Sequence, residues 1–312
     1  MPFSPPHIYS RPFAFIRGSK KHTRQHLFAV NKLSMPSVVK AGSTFIGHLH
    51  LEAALRDDGR TVLGRQSFRA PFHISKPYWD GQVLQVQIVN PTAGILAGDK
   101  LELAVSVKTG AALLVTTPAA TRAFMMRSGA AECRQSFSVE TGGWLEYAPE
   151  PLCPHRDCDY VQTTHVEVAD GAEAFYVDTL APGRVGRGES WAWRRLGISL
   201  DVTLAGEPVL RERLNGSGAD MARLAAFYGM REAWFATAVI ISSRLAPDDP
   251  VWERVRALHG GGRWLGVTRL RRGGWIVRVV APGGQALRDT LAELRGILSE
   301  KLSALQSDLR KL

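Results

Sequence analysis

The run Cys153-Pro154-His155-Arg156-Asp157-Cys158-Asp159 puts two thiols, an imidazole and two carboxylates within seven residues. Sulfur and imidazole donors suit nickel, zinc or copper, so Cys153, His155 and Cys158 are candidate metal ligands. The spacing matches no closed zinc pattern, which needs a second half elsewhere in the chain. A plain turn accounts for the same residues, with Asp157 and Asp159 as turn formers and Cys153 packed as a small hydrophobe. Both readings stand at this level.

A second set of candidates is acidic. Asp99, Glu146, Glu150, Asp178 and Glu189 recur near the ends of strand-like runs, where a carboxylate either meets solvent or faces a ligand. Arg122, Arg127, Arg184 and Arg187 are available to pair with them, or are surface charges. Catalytic signatures are missing. There is no phosphate-cradling Gly-x-x-x-x-Gly-Lys-Ser/Thr, no Gly-x-Gly-x-x-Gly after a strand, no Gly-x-Ser-x-Gly and no His-Glu-x-x-His among nine histidines. A metal-dependent enzyme centred on Cys153–Asp159 is the alternative function class. It needs a positioned base and an open coordination site, and the sequence names neither.

The elements that must position these groups read as β structure. Leu84, Val86 and Ile88 alternate before Asn90, and Leu101, Leu103, Val105 and Val107 alternate after Asp99. The Pro/Gly-rich stretch between them continues neither strand. A unit of strand, glycine turn and strand then recurs around Gly110, Gly142 and Gly171, with a looser copy at Gly206. Spacings of this size predict stacked hairpin-like units over a continuous core, as in β-solenoids or layered sheets. The pattern changes near Gly216. Met221, Leu224, Ala225 and Tyr228 predict a helix stopped at Gly229, and residues 251–258 predict a second. Between and after them come a buried strand over 235–241 and a hairpin through Arg271-Arg272-Gly273-Gly274. Leucines from Leu287 to Leu309, stepping by three or four, predict an amphipathic helix that packs on the sheet or on a partner. The fold class is therefore mainly β, with layered or β-helix-like sheets and a few helices in the C-terminal third. Residues 43–312 form one domain, a β body over 43–215 and a mixed α/β end over 216–312.

Residues 1–42 differ from that body. They carry prolines at 2, 5, 6, 12 and 36 and seven Lys/Arg without one acid, which predicts a disordered basic arm or a gene-model extension ahead of Met35. A targeting peptide has similar composition, but no sustained amphipathic pattern runs through the prolines. Setting those seven charges aside leaves +3 of the formal +10 for residues 51–312. The body is only mildly basic, which argues against a nucleic-acid-binding module. No apolar run is long enough to span a bilayer, so no membrane partner is expected. Three cysteines form no secreted disulfide framework, and a reducing cytoplasmic location is the simplest reading.

Four stretches taken in order resemble the UreD (UreH) family of urease accessory proteins. They are Asn90-Pro91-Thr92-Ala93-Gly94-Ile95-Leu96-Ala97-Gly98-Asp99, Leu114 to Arg122, Leu145-Glu146-Tyr147-Ala148-Pro149, and Pro182-Gly183-Arg184 with Gly188-Glu189. The family usually has His-Pro-Pro-Gly-Gly where Asn90 to Gly94 stands, and Pro-Gln-Glu-Thr where Pro149-Glu150-Pro151-Leu152 stands. Arg122 takes the place of a usual Lys, and Phe124-Met125-Met126 that of a more polar Tyr-Arg pattern. The resemblance implies a non-enzymatic urease maturation factor with a β-helix-like fold. It implies a scaffold joining the urease apoprotein to a helical accessory protein and a nickel-carrying GTPase, and guiding nickel through an internal passage. No tightly bound cofactor is expected, only nickel in transit. Asp99, Glu146 and Glu189 join Cys153, His155 and Cys158 as candidate contacts on its path.

Overall fold

Three strand pairs set the architecture. Lys100–Val107 leads into Ala112–Thr116, Ala131–Val139 into Trp144–Ala148, and Asp159–Val168 into Glu173–Leu180. Between the members of each pair stand Gly110, Gly142 and Gly171, with φ of +71°, +71° and +69°. L side chains are strained in that region, so the turns need glycine. The computed structural model describes residues 47–91 and 94–309, and the expectation for residues 1–42 lies outside them. Sequence pattern predicts hairpins at these glycines. Each is instead a corner that carries the chain from one sheet into a second. The strands find their partners one coil away, in parallel, and the corners bond to one another: Glu140 N–H donates to Val107 O at 2.9 Å and Ala169 N–H to Val139 O at 2.8 Å. The looser copy at Gly206 is a true antiparallel hairpin within one sheet, and it ends the stack.

The front sheet has seven strands, with Gly47–Leu55, Lys100–Val107, Ala131–Val139, Asp159–Val168 and Arg195–Leu204 parallel and an antiparallel strand at either edge. In the back sheet Val83–Val89, Ala112–Thr116, Trp144–Ala148 and Glu173–Leu180 run parallel. Trp234–Ile241, Trp275–Ala281 and Trp264–Arg269 extend it antiparallel. The protein is mainly β, layered and solenoid-like. Parallel register places equivalent residues in rows, and near the corners the rows are apolar: Val105, Phe137, Val166 and Val202 face Leu113, Leu145 and Ala174 in one core.

The helices follow Gly216, as the change of periodicity predicts. α1 (Gly218–Phe227) starts at a capping box in which Ser217 and Asp220 satisfy each other's backbone amides. α2 (Val251–Ala257) and α3 (Gly284–Ser299) cover the outer face of the back sheet with Val251, Trp252, Val255, Leu287, Leu294 and Leu298. The leucine spacing predicts α3 as far as Leu309, but the helix stops at Ser299. The chain then turns back through the 3₁₀ segment Ser303–Gln306, keeping Leu302 and Leu305 buried. The turn-back is held by Arg295, whose guanidinium donates to Ser307 O at 2.6 Å and to both carboxylate oxygens of Glu146 at 2.7 and 3.0 Å. Among the described residues no helix is long and apolar enough to cross a membrane.

Glu146 is 0% exposed, so this ion pair is one of high stakes. Removing one partner strands a buried charge, a loss of about 3–5 kcal/mol. Arg295→Ala is expected to lower unfolding stability by roughly that amount in denaturant titration, and the double variant Glu146→Leu, Arg295→Met to recover most of it.

Candidate functional site

At the end of the coils opposite the glycine corners, four longer connections close the solenoid, described at 90–91 with 94–99, 117–130, 149–158 and 181–194. They stack as the strands do. Ile95 bridges Ala123, and Thr121–Ala123 pairs in parallel with Leu152–Pro154. Ile95 N–H donates to Arg122 O at 2.8 Å, His155 N–H to Ala123 O at 2.8 Å and Ala181 N–H to Leu152 O at 2.9 Å. Gly183 closes the last rung against Glu189. It has φ +114°, and a Cβ there would lie 2.4 Å from Glu189 O, so no other residue fits. Sequence segments up to about a hundred residues apart are thereby brought to one end of the molecule.

Alternation along these short rungs divides the Cys153–Asp159 run. Cys153 lies level with Arg122 in the ladder. Cys153 and His155 share an open pocket of about 310 Å³ with Arg122, Phe124, Arg184 and Arg187. His155 is 4% exposed and packs edge-on against Phe124 at 4.7 Å. Burial lowers its pKa, helped by the Arg184 charge, so the imidazole is neutral at pH 7. Burial raises the Cys153 thiol, against the opposing pull of Arg184 and Arg122. Cys158 faces the other way, into a cluster with Leu101, Met126 and Leu196, and burial pushes its thiol up to about 12. Asp157 takes the turn with φ +56°, and Asp159 accepts from Arg195 at 2.8 Å and Arg194 at 3.2 Å. Among the described residues no group of three or more His, Cys, Asp or Glu side chains is placed to hold a metal ion.

The three candidate acids lie in three different places. Asp99 accepts from Leu96 N–H at 2.8 Å within its own loop. Glu189 accepts from Arg184 at 2.6 and 2.9 Å, and this bond holds its carboxyl below the usual range. Glu146 sits in mid-strand on the outer face of the back sheet, under α3.

What the sequence reading passes over is the space between the sheets at this same end. A cavity of about 280 Å³ is lined by Cys133, Gln135, Tyr147, Tyr160, Gln162 and Asp178, and roofed by residues 117–122. Its wall is a polar continuation of the rows that are aliphatic near the corners. Cys133 stands level with Gln162, and Gln135 with Thr164. Thr164 donates to Gln135 at 3.1 Å, Tyr160 to Gln162 at 3.1 Å and Tyr176 to Asp178 at 2.6 Å. Stacked Tyr147 and Tyr176, 5.3 Å apart, and Phe137 at 4.6 Å from Tyr147 separate this polar part from the aliphatic core. Burial pushes Asp178 up to about 6, against the opposing bonds from Tyr176 and Gln162. The Cys133 thiol, also buried, rises to about 11. A signal did exist: Cys133 and Gln135, then Gln162 and Thr164, occupy inward positions of two alternating strands where apolar residues are expected.

A family model described as UreD urease accessory protein matches residues 46–311. The chain belongs to this family. A urease accessory protein UreD from Opitutus terrae is 51% identical over 272 residues, covering 86% of this chain and 99% of its own. One from Alkalilimnicola ehrlichii is 30% identical over 83% of this chain and 87% of its own, and one from Yersinia pseudotuberculosis 34% identical over 52% and 53%. The four stretches that carry the UreD resemblance are the stacked connections and the strand ends beside them.

The three cysteines are free thiols of unequal access: Cys133 and Cys158 are buried, Cys153 partly exposed. Iodoacetamide is expected to modify Cys153 in the folded protein, and the other two only after denaturation. Peptide mass spectrometry of native and urea-treated samples reads this directly.

Proposed function

We propose that this UreD-family protein acts in urease maturation as a scaffold, and that nickel crosses it through the space between its two sheets. In this reading it joins the urease apoprotein to a helical accessory protein and a nickel-carrying GTPase in the cytoplasm, and catalyses no reaction itself. The observation that carries the passage is Asp178. It is a carboxylate set in the cavity wall, and among the described residues no cationic side chain pairs with it.

A carboxylate with no cationic partner in a low-dielectric wall, here with the Glu212 charge adding to its field, attracts a cation far more strongly than it would in water. Its neighbours are hydroxyl and carboxamide groups, which are weak, exchangeable donors to a divalent ion. Cys133 stays protonated at neutral pH, so no thiolate cage traps the metal there. Reversible binding is what delivery requires. Of the ligands expected from sequence, Cys153 and His155 share the outer pocket, but Arg122, Arg184 and Arg187 line it too and oppose a metal cation there. Cys158 would have to shed a proton held to about 12. Asp99, Glu146 and Glu189 would each have to give up an existing partner before meeting nickel.

A half-buried carboxylate that accepts from Tyr176 and Gln162 but has no cationic partner costs stability, and that supplies the test. Its folded pKa of about 6 exceeds the unfolded 3.8, so the folded state holds more protons between those values and stability falls as pH rises from about 4 to 6. Asp178→Asn is expected to remove that pH dependence and to stabilise the protein at pH 7 by on the order of 2 kcal/mol. In co-expression with urease and its accessory proteins, the same variant is expected to lower urease activation without lowering the yield of the complex. A variant that gains stability and activates urease fully would leave Asp178 no part in nickel transfer.

A further inference from the structure

The pocket beside Cys153 has the wrong sign for a free metal cation. Arg122, Arg184 and Arg187 line it, and Arg156 comes within 3.9 Å of Glu189 at its rim. Glu189 is the acid that answers them, and it is taken up by Arg184. Among the described residues neither Arg122 nor Arg187 has a carboxylate partner. Three guanidiniums around one concavity repel one another, and a fold that holds them there is relieved when an anion enters. The rest of the lining suits the same ligand. Neutral His155, fixed edge-on by Phe124, offers a further ring N–H, and guanidinium forks match the paired oxygens of a carboxylate or phosphate.

The stacked connections explain why the charges converge. Arg122 stands on the rung beside Cys153, and Arg184 on the rung held by Gly183 against Pro154 and Glu189. This is backbone-imposed placement rather than a chance meeting of long surface side chains. On the same stacked connections Leu96 and Met125, next in sequence to the bonded Ile95 and Phe124, are 53% and 49% exposed.

We propose that this pocket is an oxyanion receptor, in which Arg122 and Arg187, beside the Glu189-paired Arg184, take the carboxylates of an acidic segment of a partner protein, with the exposed Leu96 and Met125 of the same connections available to its apolar side chains. Arg122 lines this pocket and the cavity between the sheets, but the two tests read different groups, so this proposal can fail while the Asp178 result stands. A free inorganic oxyanion has the same chemistry and is the other source to distinguish.

Cys153 lines the pocket, so its alkylation rate reports whether the pocket is filled. The full-length chain is treated with iodoacetamide alone, with an acetylated Leu-Glu-Glu-Leu-Glu peptide, with its Gln-for-Glu analogue, and with sodium phosphate. All mixtures are brought to one ionic strength with sodium chloride, which removes general screening. The expected result is saturable protection by the Glu peptide, at least tenfold weaker with the Gln analogue. Protection is also expected to weaken at least tenfold in Arg122→Gln, Arg187→Gln, a double variant that breaks no described ion pair. Protection by phosphate with none by the peptide would keep the oxyanion receptor and overturn the partner segment. No protection by either, or equal protection by both peptides, would overturn the receptor itself. The two-peptide comparison uses the unaltered chain, so the outcome does not depend on the variant folding.

Discussion

The parallel backbone ladder is the constraint on which everything else rests. A buried strand must satisfy each amide, and in a stack of coils the partners lie one coil away in fixed register. That register turns sequence alternation into rows of side chains running across the sheets. The row Val105, Phe137, Val166 and Val202 is apolar, while the row Leu101, Cys133, Gln162 and Ile198, four residues earlier on each strand, is mixed. Polarity thus grades along the strands from the glycine corners towards the long connections. The cavity opens where apolar rows give way to polar ones.

Much of this grading was legible in the sequence, and the part that was not has a physical cause. The corner glycines announce turns, but a turn needing positive φ serves a hairpin and a corner between sheets equally well. What separates them is the partner of the following strand, and that partner is about thirty residues away. Gly206 makes the point from the other side, since its similar local pattern yields the hairpin. The Cys153–Asp159 run is divided for a related reason. Neighbours in sequence look like a cluster, yet alternation sends Cys153 to the surface pocket and the reversal at Asp157 sends Cys158 into the core. Glu146 could not be placed because its partner, Arg295, is 149 residues further on. The same pair explains why α3 ends at Ser299 although leucines continue at helical spacing to Leu309.

Charge is segregated as sharply as polarity. Inside, Asp178 is an acid facing hydroxyl and carboxamide groups. Outside, three arginines surround a neutral histidine and a protonated thiol. Folding stability alone would favour neither arrangement, since an apolar residue at 178 and scattered arginines would both cost less. Features that oppose stability and persist in an otherwise consistent structure are where function is to be sought.

The two spaces are not independent, because Arg122 and Ala120 line both of them. On the proposed passage, a cation in the cavity would meet the field of Arg122, which lines it with residues 117–121, and that field would oppose it. An oxyanion held in the outer pocket cancels the charge at its source. The electrostatic cost of placing a divalent ion near Asp178 then falls without any movement of the chain. A carboxylate brought by a docked partner would act in this way only while the partner is bound. On the two proposals together, docking and cation passage would be coupled through one guanidinium, because Arg122 lines both spaces.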